Sequence, residues 1–173
     1  MKRGYHIFTG LTFAIISLVS VSQPICAAER GEKSLGLRGG YVTRNESALA
    51  GLYFQYNFTD FFRLSPNIDY VFRHHDEDAL DLNLNAHFLF KVGTSGRFNM
   101  YPLVGVNYTS WNLHYQDENS DDVTTRDSRL SLNIGGGMEY YVTSTLKLNL
   151  EGKFQWAKHF NTGMFSVGIG YVF

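Results

Sequence analysis

Apolar and polar residues alternate along most of the chain, and the final ten residues show this repeat most clearly. Their odd positions, from Phe165 to Phe173, are apolar or aromatic, whereas Ser166, Gly168 and Gly170 share the other face with Met164 and Val172. A repeat of two residues is typical of a β-strand. Because an aromatic edge strand would be exposed in an open sheet, we expect this strand to close a sheet on itself.

The same repeat predicts eight strands of about 9 to 13 residues, separated by turns or polar segments. They are expected at residues 34–43, 48–58, 62–73, 80–92, 98–109 with a continuation through 115, 130–142, 146–156 and 164–173. In each strand, one face is large and apolar and the other is small, polar or charged. The interior of an eight-stranded barrel only just holds its own side chains, so the large face cannot point inward. The pattern therefore predicts an all-β, eight-stranded antiparallel up-and-down barrel with a polar lumen and an exterior that faces lipid.

The connections between strands alternate in length. The second, fourth and sixth are tight turns, at 59–60, 93–96 and 143–145, whereas the longer ones include 74–78 and 116–127. Short links at one rim and long links at the other are typical of outer-membrane barrels with both termini in the periplasm. Aromatic girdles are expected at the two membrane interfaces. The predicted girdle residues are Trp111 and Trp156 at the outer rim, and Tyr56, Phe58 and Tyr171 at the periplasmic rim.

Residues 1–28 have the order of a secretory signal peptide. Lys2 and Arg3 precede an apolar run, Ile7 to Val21, and cleavage is expected after the small residues that end at Ala28. The domain prediction is therefore a cleaved signal at 1–28 and a barrel domain at 29–173. Its mature form would have no cysteine, because the only one is Cys26, and would carry 13 basic against 16 acidic residues. This balance, without a basic stripe, argues against a nucleic-acid partner.

The inward positions collect a set of charges, with six basic and four acidic side chains. A narrow lumen requires such charges to find partners or water, because an unpaired buried ion is costly. We expect a paired polar plug, since eight strands leave no wide channel, and a narrow pore is the alternative. The predicted network consists of Arg38, Arg63, Asp69, Arg73, Asp81, Lys91, Glu139, Lys147, Glu151 and Lys153.

The segment 116–127 has five acidic residues against one arginine and no strand repeat. We expect an exposed acidic loop containing Asp117, Glu118, Asp121 and Asp122. Its start is similar to a calcium loop, but Asp122 replaces the turn glycine and Ser128 stands where the bidentate Glu should be. We therefore expect a solvated loop and neither a metal site nor a cofactor.

Two histidine-containing segments raise the question of enzyme activity or metal binding. His159 and Asn161 resemble the His-x-Ser of small outer-membrane lipid A deacylases, but an amide cannot replace the activated hydroxyl. His74 and His75 are adjacent, so in a strand they would point in opposite directions and could not share a metal. We therefore expect a protein without enzyme activity.

Eight alternating strands after a signal peptide, together with the closing run from Phe165 to Phe173, resemble the small outer-membrane β-barrels typified by the OmpA transmembrane domain and OmpX. The resemblance implies a monomer in the outer membrane of a Gram-negative bacterium, surrounded by lipid and lipopolysaccharide. It also implies that Phe173 and Tyr171 belong to the signal read by the barrel-assembly machinery. Members of this family differ in task, so a structural or surface-recognition role through the loops is expected. A narrow pore, a lipid A-modifying hydrolase and a soluble lipocalin-like carrier remain as alternatives.

Overall fold

The computed structural model describes residues 28–44, 46–74, 77–116, 122–156 and 161–173. Side chains are described throughout these ranges except at 73, 74, 77, 112–116 and 122–127. Among the described residues, no helix has the length and apolar character needed to cross a membrane. The described elements are nine β-strands. They are β1 Lys33–Val42, β2 Ser47–Asn57, β3 Phe62–His74, β4 Glu77–Phe88, β5 Phe90–Val92, β6 Phe98–Gln116, β7 Asp122–Tyr141, β8 Leu146–Trp156 and β9 Thr162–Val172.

The strands close into a ring in which every pairing is antiparallel. Strands β1 to β4 pair in sequence order, as do β6 to β9, and the ring is completed by β1 with β9 and by β4 with β6. The short strand β5 continues β4 along β6 without a change of register, so β4 and β5 form one wall. The prediction of an eight-stranded antiparallel up-and-down barrel is confirmed.

The interruption between β4 and β5 has a local cause. His87 lies opposite Leu103 and Phe90 lies opposite Met100, which places Phe88 opposite Pro102. Proline has no backbone N–H to donate to the ladder. On the other side of this wall, the Leu89 amide donates to the carbonyl oxygen of Phe61 at 2.7 Å, which continues the pairing with β3.

The apolar face lies outside the barrel and the polar face inside. Leu37 and Val167 have exposed fractions of 60% and 61%, whereas Arg63 and Asp69 are 0% exposed. This arrangement is the reverse of a water-soluble domain and suits a surrounding bilayer. The soluble lipocalin-like alternative is therefore wrong, because such a carrier would bury its apolar face.

The connection between β6 and β7 differs from the prediction of a long aperiodic loop. The ladder continues to the pair Gln116 and Asp122, so only residues 117–121 separate the two strands. The neighbouring ladders end lower, since the last residue of β6 paired with β4 is Leu113 and the last residue of β7 paired with β8 is Leu132. Backbone pairing needs no apolar alternation above the membrane, which is why the side-chain repeat did not reveal it. We call the segment from His114 to Thr124 the outer hairpin.

Candidate functional site in the barrel lumen

Alternate residues of every wall point into the lumen, so the candidate site is assembled from single side chains of many strands. Arg38 of β1 lies at its centre. Its Nε donates to Asp69 Oδ1 at 2.6 Å, and its guanidinium also pairs with the other oxygen of Asp69. A third contact joins Arg38 Nη1 to Glu151 Oε1 at 3.3 Å. One cation therefore joins carboxylates from β3 and β8, neither of which is its neighbour in the ring.

Lys153 of β8 reaches the opposite wall of the barrel. Its Nζ lies 3.0 Å from Asn83 Oδ1 and 3.9 Å from Asp69 Oδ2. Nearer the outer end, Asp81 accepts from Thr109 Oγ1 at 2.5 Å and from Gln155 Nε2 at 3.3 Å. Side chains from facing walls therefore meet across the lumen.

A second ionic group occupies the periplasmic half. Glu139 accepts from Arg63 Nη1 at 2.7 Å and from Asn99 Nδ2 at 2.9 Å, and its Oε2 lies 3.5 Å from Lys147 Nζ. Lys147 also contacts Glu32, at 3.1 Å. The contact between Glu139 and Lys147 is consistent with the predicted tight turn at 143–145, whereas the strand repeat, which begins at residue 34, did not place Glu32 in the barrel.

An aromatic stack connects the two ionic groups. The rings of His87 and Tyr101 are 4.4 Å apart and nearly parallel, and the Arg63 guanidinium lies 5.1 Å from the Tyr101 ring centre. Arg63 Nη2 and Nε lie 3.2 and 3.3 Å from His87 Nδ1. Because arginine can only donate, Nδ1 acts as an acceptor and the ring proton is assigned to Nε2. Nε2 faces Glu151 at 3.8 Å, and Tyr101 donates to the same carboxylate at 3.3 Å.

Tyr53 fills space that inward glycines leave open. A Cβ built on Gly36 would lie 2.3 Å from Tyr53 Cζ, and one on Gly170 would lie 2.5 Å from its hydroxyl oxygen. Tyr53 is only 3% exposed. The inward glycines of β1 and β9 therefore act as a socket for a large side chain from the adjacent strand β2, which the sequence repeat did not indicate.

Eight of the ten predicted lumen charges are buried in the lumen, as four cations and four carboxylates. Lys91 departs from the prediction of a buried charge. It lies opposite Asn99 in the ladder, but β5 ends at the periplasmic rim and the Lys91 side chain is exposed. The Arg73 side chain lies outside the described part. The eight buried residues are Arg38, Arg63, Asp69, Asp81, Glu139, Lys147, Glu151 and Lys153.

Trp111 does not belong to the outer aromatic girdle. It occupies an inward position of β6 and packs against buried apolar residues in the lumen, whereas Trp156 is 64% exposed on the outside. Strand β6 continues to Gln116, so Trp111 still lies within the paired strand. Its ladder partner on β4 is the buried Ala79, and Trp111 therefore faces inward. Tyr171 and Phe173 are exposed and their rings lie 6.3 Å apart.

The structure describes only part of the predicted outer-surface features. Asp117, Glu118, Asp121, His75 and His159 lie outside the described residues, as does the Asp122 side chain. Within the described part, no group of three or more His, Cys, Asp or Glu side chains is arranged to hold a metal ion.

A closed antiparallel barrel with an apolar exterior and a charged, self-paired interior defines a transmembrane β-barrel of the outer-membrane type. The family model described as "Outer membrane protein beta-barrel domain" matches residues 9–173, so the chain belongs to that family. A comparison with curated protein sequences finds no significant match. The outer membrane is accordingly the location of this protein, in contact with its lipids and lipopolysaccharide.

Solved structures share the fold at low sequence identity. The N-terminal β-barrel domain of Pseudomonas aeruginosa OprF is 22% identical with a TM-score of 0.64, over 83% of this chain and 98% of that one. Neisserial surface protein A is 12% identical with a TM-score of 0.64, over 82% and 96%. Ail, the attachment invasion locus protein of Yersinia pestis, is 16% identical with a TM-score of 0.60, over 83% and 99%. The recognition of a small outer-membrane barrel is confirmed.

Proposed function

We propose that this protein is a barrel closed to solutes, with a structural role in the outer membrane and a recognition surface in its outer hairpin. The observation that carries the first part is the contact of Lys153 with Asp69, because β8 and β3 are diametrically opposite in the ring. A lumen in which side chains from opposite walls are in contact has no open axis.

Two small cavities in the described part of the lumen support the same proposal. Cavities of about 10 and 20 Å³ lie in the lumen, one beside Arg38 and Tyr53 and the other beside Trp111 and Arg129. Each has room for about one water molecule. A hydrated ion is larger, so its passage would require several of the charged side chains to move together.

Conductance in planar bilayers tests the closed barrel. We expect no steady single-channel conductance from the purified, refolded protein, with a wide trimeric porin as the positive control in the same bilayer. Steady openings at moderate voltage would instead establish the narrow pore.

The outer hairpin is the proposed recognition surface. Its ladder extends beyond the pairings of both neighbouring strands, and loops on a rigid scaffold can diverge without disturbing the fold. Two structural relatives support a surface role by their names, an attachment invasion locus protein and a surface protein, and Ail has been crystallised with the heparin analogue sucrose octasulfate. This chain has acidic residues in its hairpin, so we propose a partner that is cationic or bridged by divalent ions.

Two variants separate the length of the hairpin from its charge. The first replaces residues 114–124 with a short Gly-Ser turn, and the second keeps the length but changes Asp117 and Asp121 to Asn and Glu118 to Gln. Both should insert and unfold like the parent, because the ladder below Leu113 is retained. Binding of a fluorescent oligolysine peptide to the parent should weaken as salt shortens the screening length below about 8 Å. Both variants should bind less, and equal binding by all three proteins would place recognition elsewhere.

We also propose that the protein has no enzyme activity and needs no cofactor. Asn161 stands where a hydrolase of the lipid A deacylase type would need its nucleophile. Incubation of the refolded protein with lipopolysaccharide should release no fatty acid, and release that is lost in His159→Ala would overturn this part.

Processing and assembly complete the proposal. We propose that residues 1–28 are removed, that Phe173 and Tyr171 are read by the barrel-assembly machinery, and that the mature barrel is a monomer. N-terminal sequencing of membrane-extracted protein should begin at Glu29. Phe173→Ser should slow assembly by the machinery while leaving spontaneous refolding into detergent unchanged.

A further inference from the structure

The outer end of the lumen is lined by apolar side chains, although most inward positions of the strands are polar or glycine. Each is at most 4% exposed, and Trp111 packs against them. We call this set the outer apolar layer. It consists of Val42, Leu49, Val71, Ala79, Met164 and Trp111.

The members of this layer are neighbours along the ladders. Val42 lies opposite Met164, Leu49 opposite Val71, and Ala79 opposite both Val71 and Trp111. They come from β1, β2, β3, β4, β6 and β9, which are six of the eight walls. On the remaining side, formed by β7 and β8, Arg129, Ser131 and Gln155 line the cavity of about 20 Å³. The layer therefore extends over six walls and is interrupted by polar residues at β7 and β8.

Apolar and ionic side chains obstruct a lumen in different ways. Ionic groups can exchange partners with water, so a plug made only of such groups can become hydrated. An apolar constriction offers water and ions no partners, and it closes a pathway by excluding water. Apolar residues at inward positions do not contact lipid, so lipid contact does not explain why several of them lie at one level of the lumen.

We propose that the outer apolar layer is the barrier that prevents water and ions from entering the lumen from the cell surface, and that the ionic network below it is sealed by this layer. This inference rests on the proposed closed barrel and adds which residues close it.

Cysteine accessibility provides a direct test, because the chain has no cysteine after Cys26. A reporter, Asn83→Cys, is placed two inward positions below Ala79 on β4, and the probe is a small cationic methanethiosulfonate reagent added to the refolded barrel in lipid vesicles. Orientation is determined with a second reporter, Arg44→Cys, on the exposed outer turn.

Three changes are compared in the reporter background. Val42→Thr with Val71→Thr makes the layer polar with little change of volume. Val167→Thr is the matched control on the lipid face of β9, and Asp81→Asn removes a charge of the network between Ala79 and the reporter. We expect the first change to raise the labelling rate from the outer side by about tenfold or more, and the other two to leave it within about twofold.

Each outcome decides between explanations. An unchanged rate in the threonine pair together with a faster rate in Asp81→Asn would assign the barrier to the ionic network and overturn the inference. A reporter that reacts as fast as Arg44→Cys in the otherwise unchanged protein would show an open lumen, and would refute the closed barrel itself. If the threonine pair does not fold, Val71→Thr alone is measured by the same criterion.

Discussion

Removal of Glu139 is the sharpest test of how the lumen charges stabilise the barrel. The carboxylate is 1% exposed and contacts two cations, Arg63 at 2.7 Å and Lys147 at 3.5 Å. Truncation would leave both buried cations without this carboxylate. Breaking a buried ion pair by removing one partner typically costs about 3 to 5 kcal/mol, and we expect Glu139→Ala to lower the free energy of unfolding by that amount.

The structure also predicts which cation is more affected. Lys147 keeps a second carboxylate, Glu32 at 3.1 Å, whereas the remaining contacts of Arg63 are with the neutral His87 and the Tyr101 ring. The coupling energy between Glu139 and Arg63 should therefore be about 2 to 3 kcal/mol, and that between Glu139 and Lys147 about 1 kcal/mol or less.

Reversible urea unfolding in lipid vesicles, followed by tryptophan fluorescence, would measure these energies in two double-mutant cycles with Arg63→Met and Lys147→Met. Glu29→Ala is the control, because Glu29 is an exposed acidic residue near the same end of the barrel. If Glu139→Ala lowers the free energy of unfolding by less than about 1 kcal/mol, water reaches Arg63 and Lys147 and the charges of the lumen are solvated. Stronger coupling to Lys147 than to Arg63 would refute the assigned pairing.

Three further changes test the exterior, the glycine socket and the rim. Leu150→Arg, near the middle of β8, should lower the free energy of unfolding by about 2 to 4 kcal/mol, whereas Trp156→Arg at the outer end should lower it by at most about 1 kcal/mol. Equal losses for the two variants would contradict this placement of β8 in the membrane. Gly170→Ala should destabilise the barrel by about 1 to 3 kcal/mol, because its Cβ would meet the Tyr53 hydroxyl, and Tyr53→Phe should recover much of this loss in the same unfolding assay. Lys91→Ala should change the unfolding free energy by no more than about 0.5 kcal/mol, since its side chain is exposed, and a larger loss would return Lys91 to the buried network.

The strand repeat by itself determined the fold class, the number of walls and the side of the sheet that faces lipid. The physical reason is that each residue of a membrane strand faces either lipid or the polar lumen, and successive residues face opposite sides. Leu148 and Asn149 therefore cannot exchange faces without a cost in free energy. The same alternation identified which charged residues point inward. For that reason, eight of the ten predicted lumen charges are found in the lumen.

Contacts across the barrel were decided only by the tertiary structure. The alternation along the sequence indicates that Lys153, Asp69 and Arg38 face inward. Which of these side chains meet depends on the tilt and stagger of the strands, and these are set by the closed ring as a whole. The same holds for Glu32, which precedes the first strand, and for Lys91, whose inward position ends at a rim. The apolar layer at the outer end was also missed, because Val42, Leu49 and Val71 interrupt a polar face singly in three strands and become one surface only when the barrel brings those strands together.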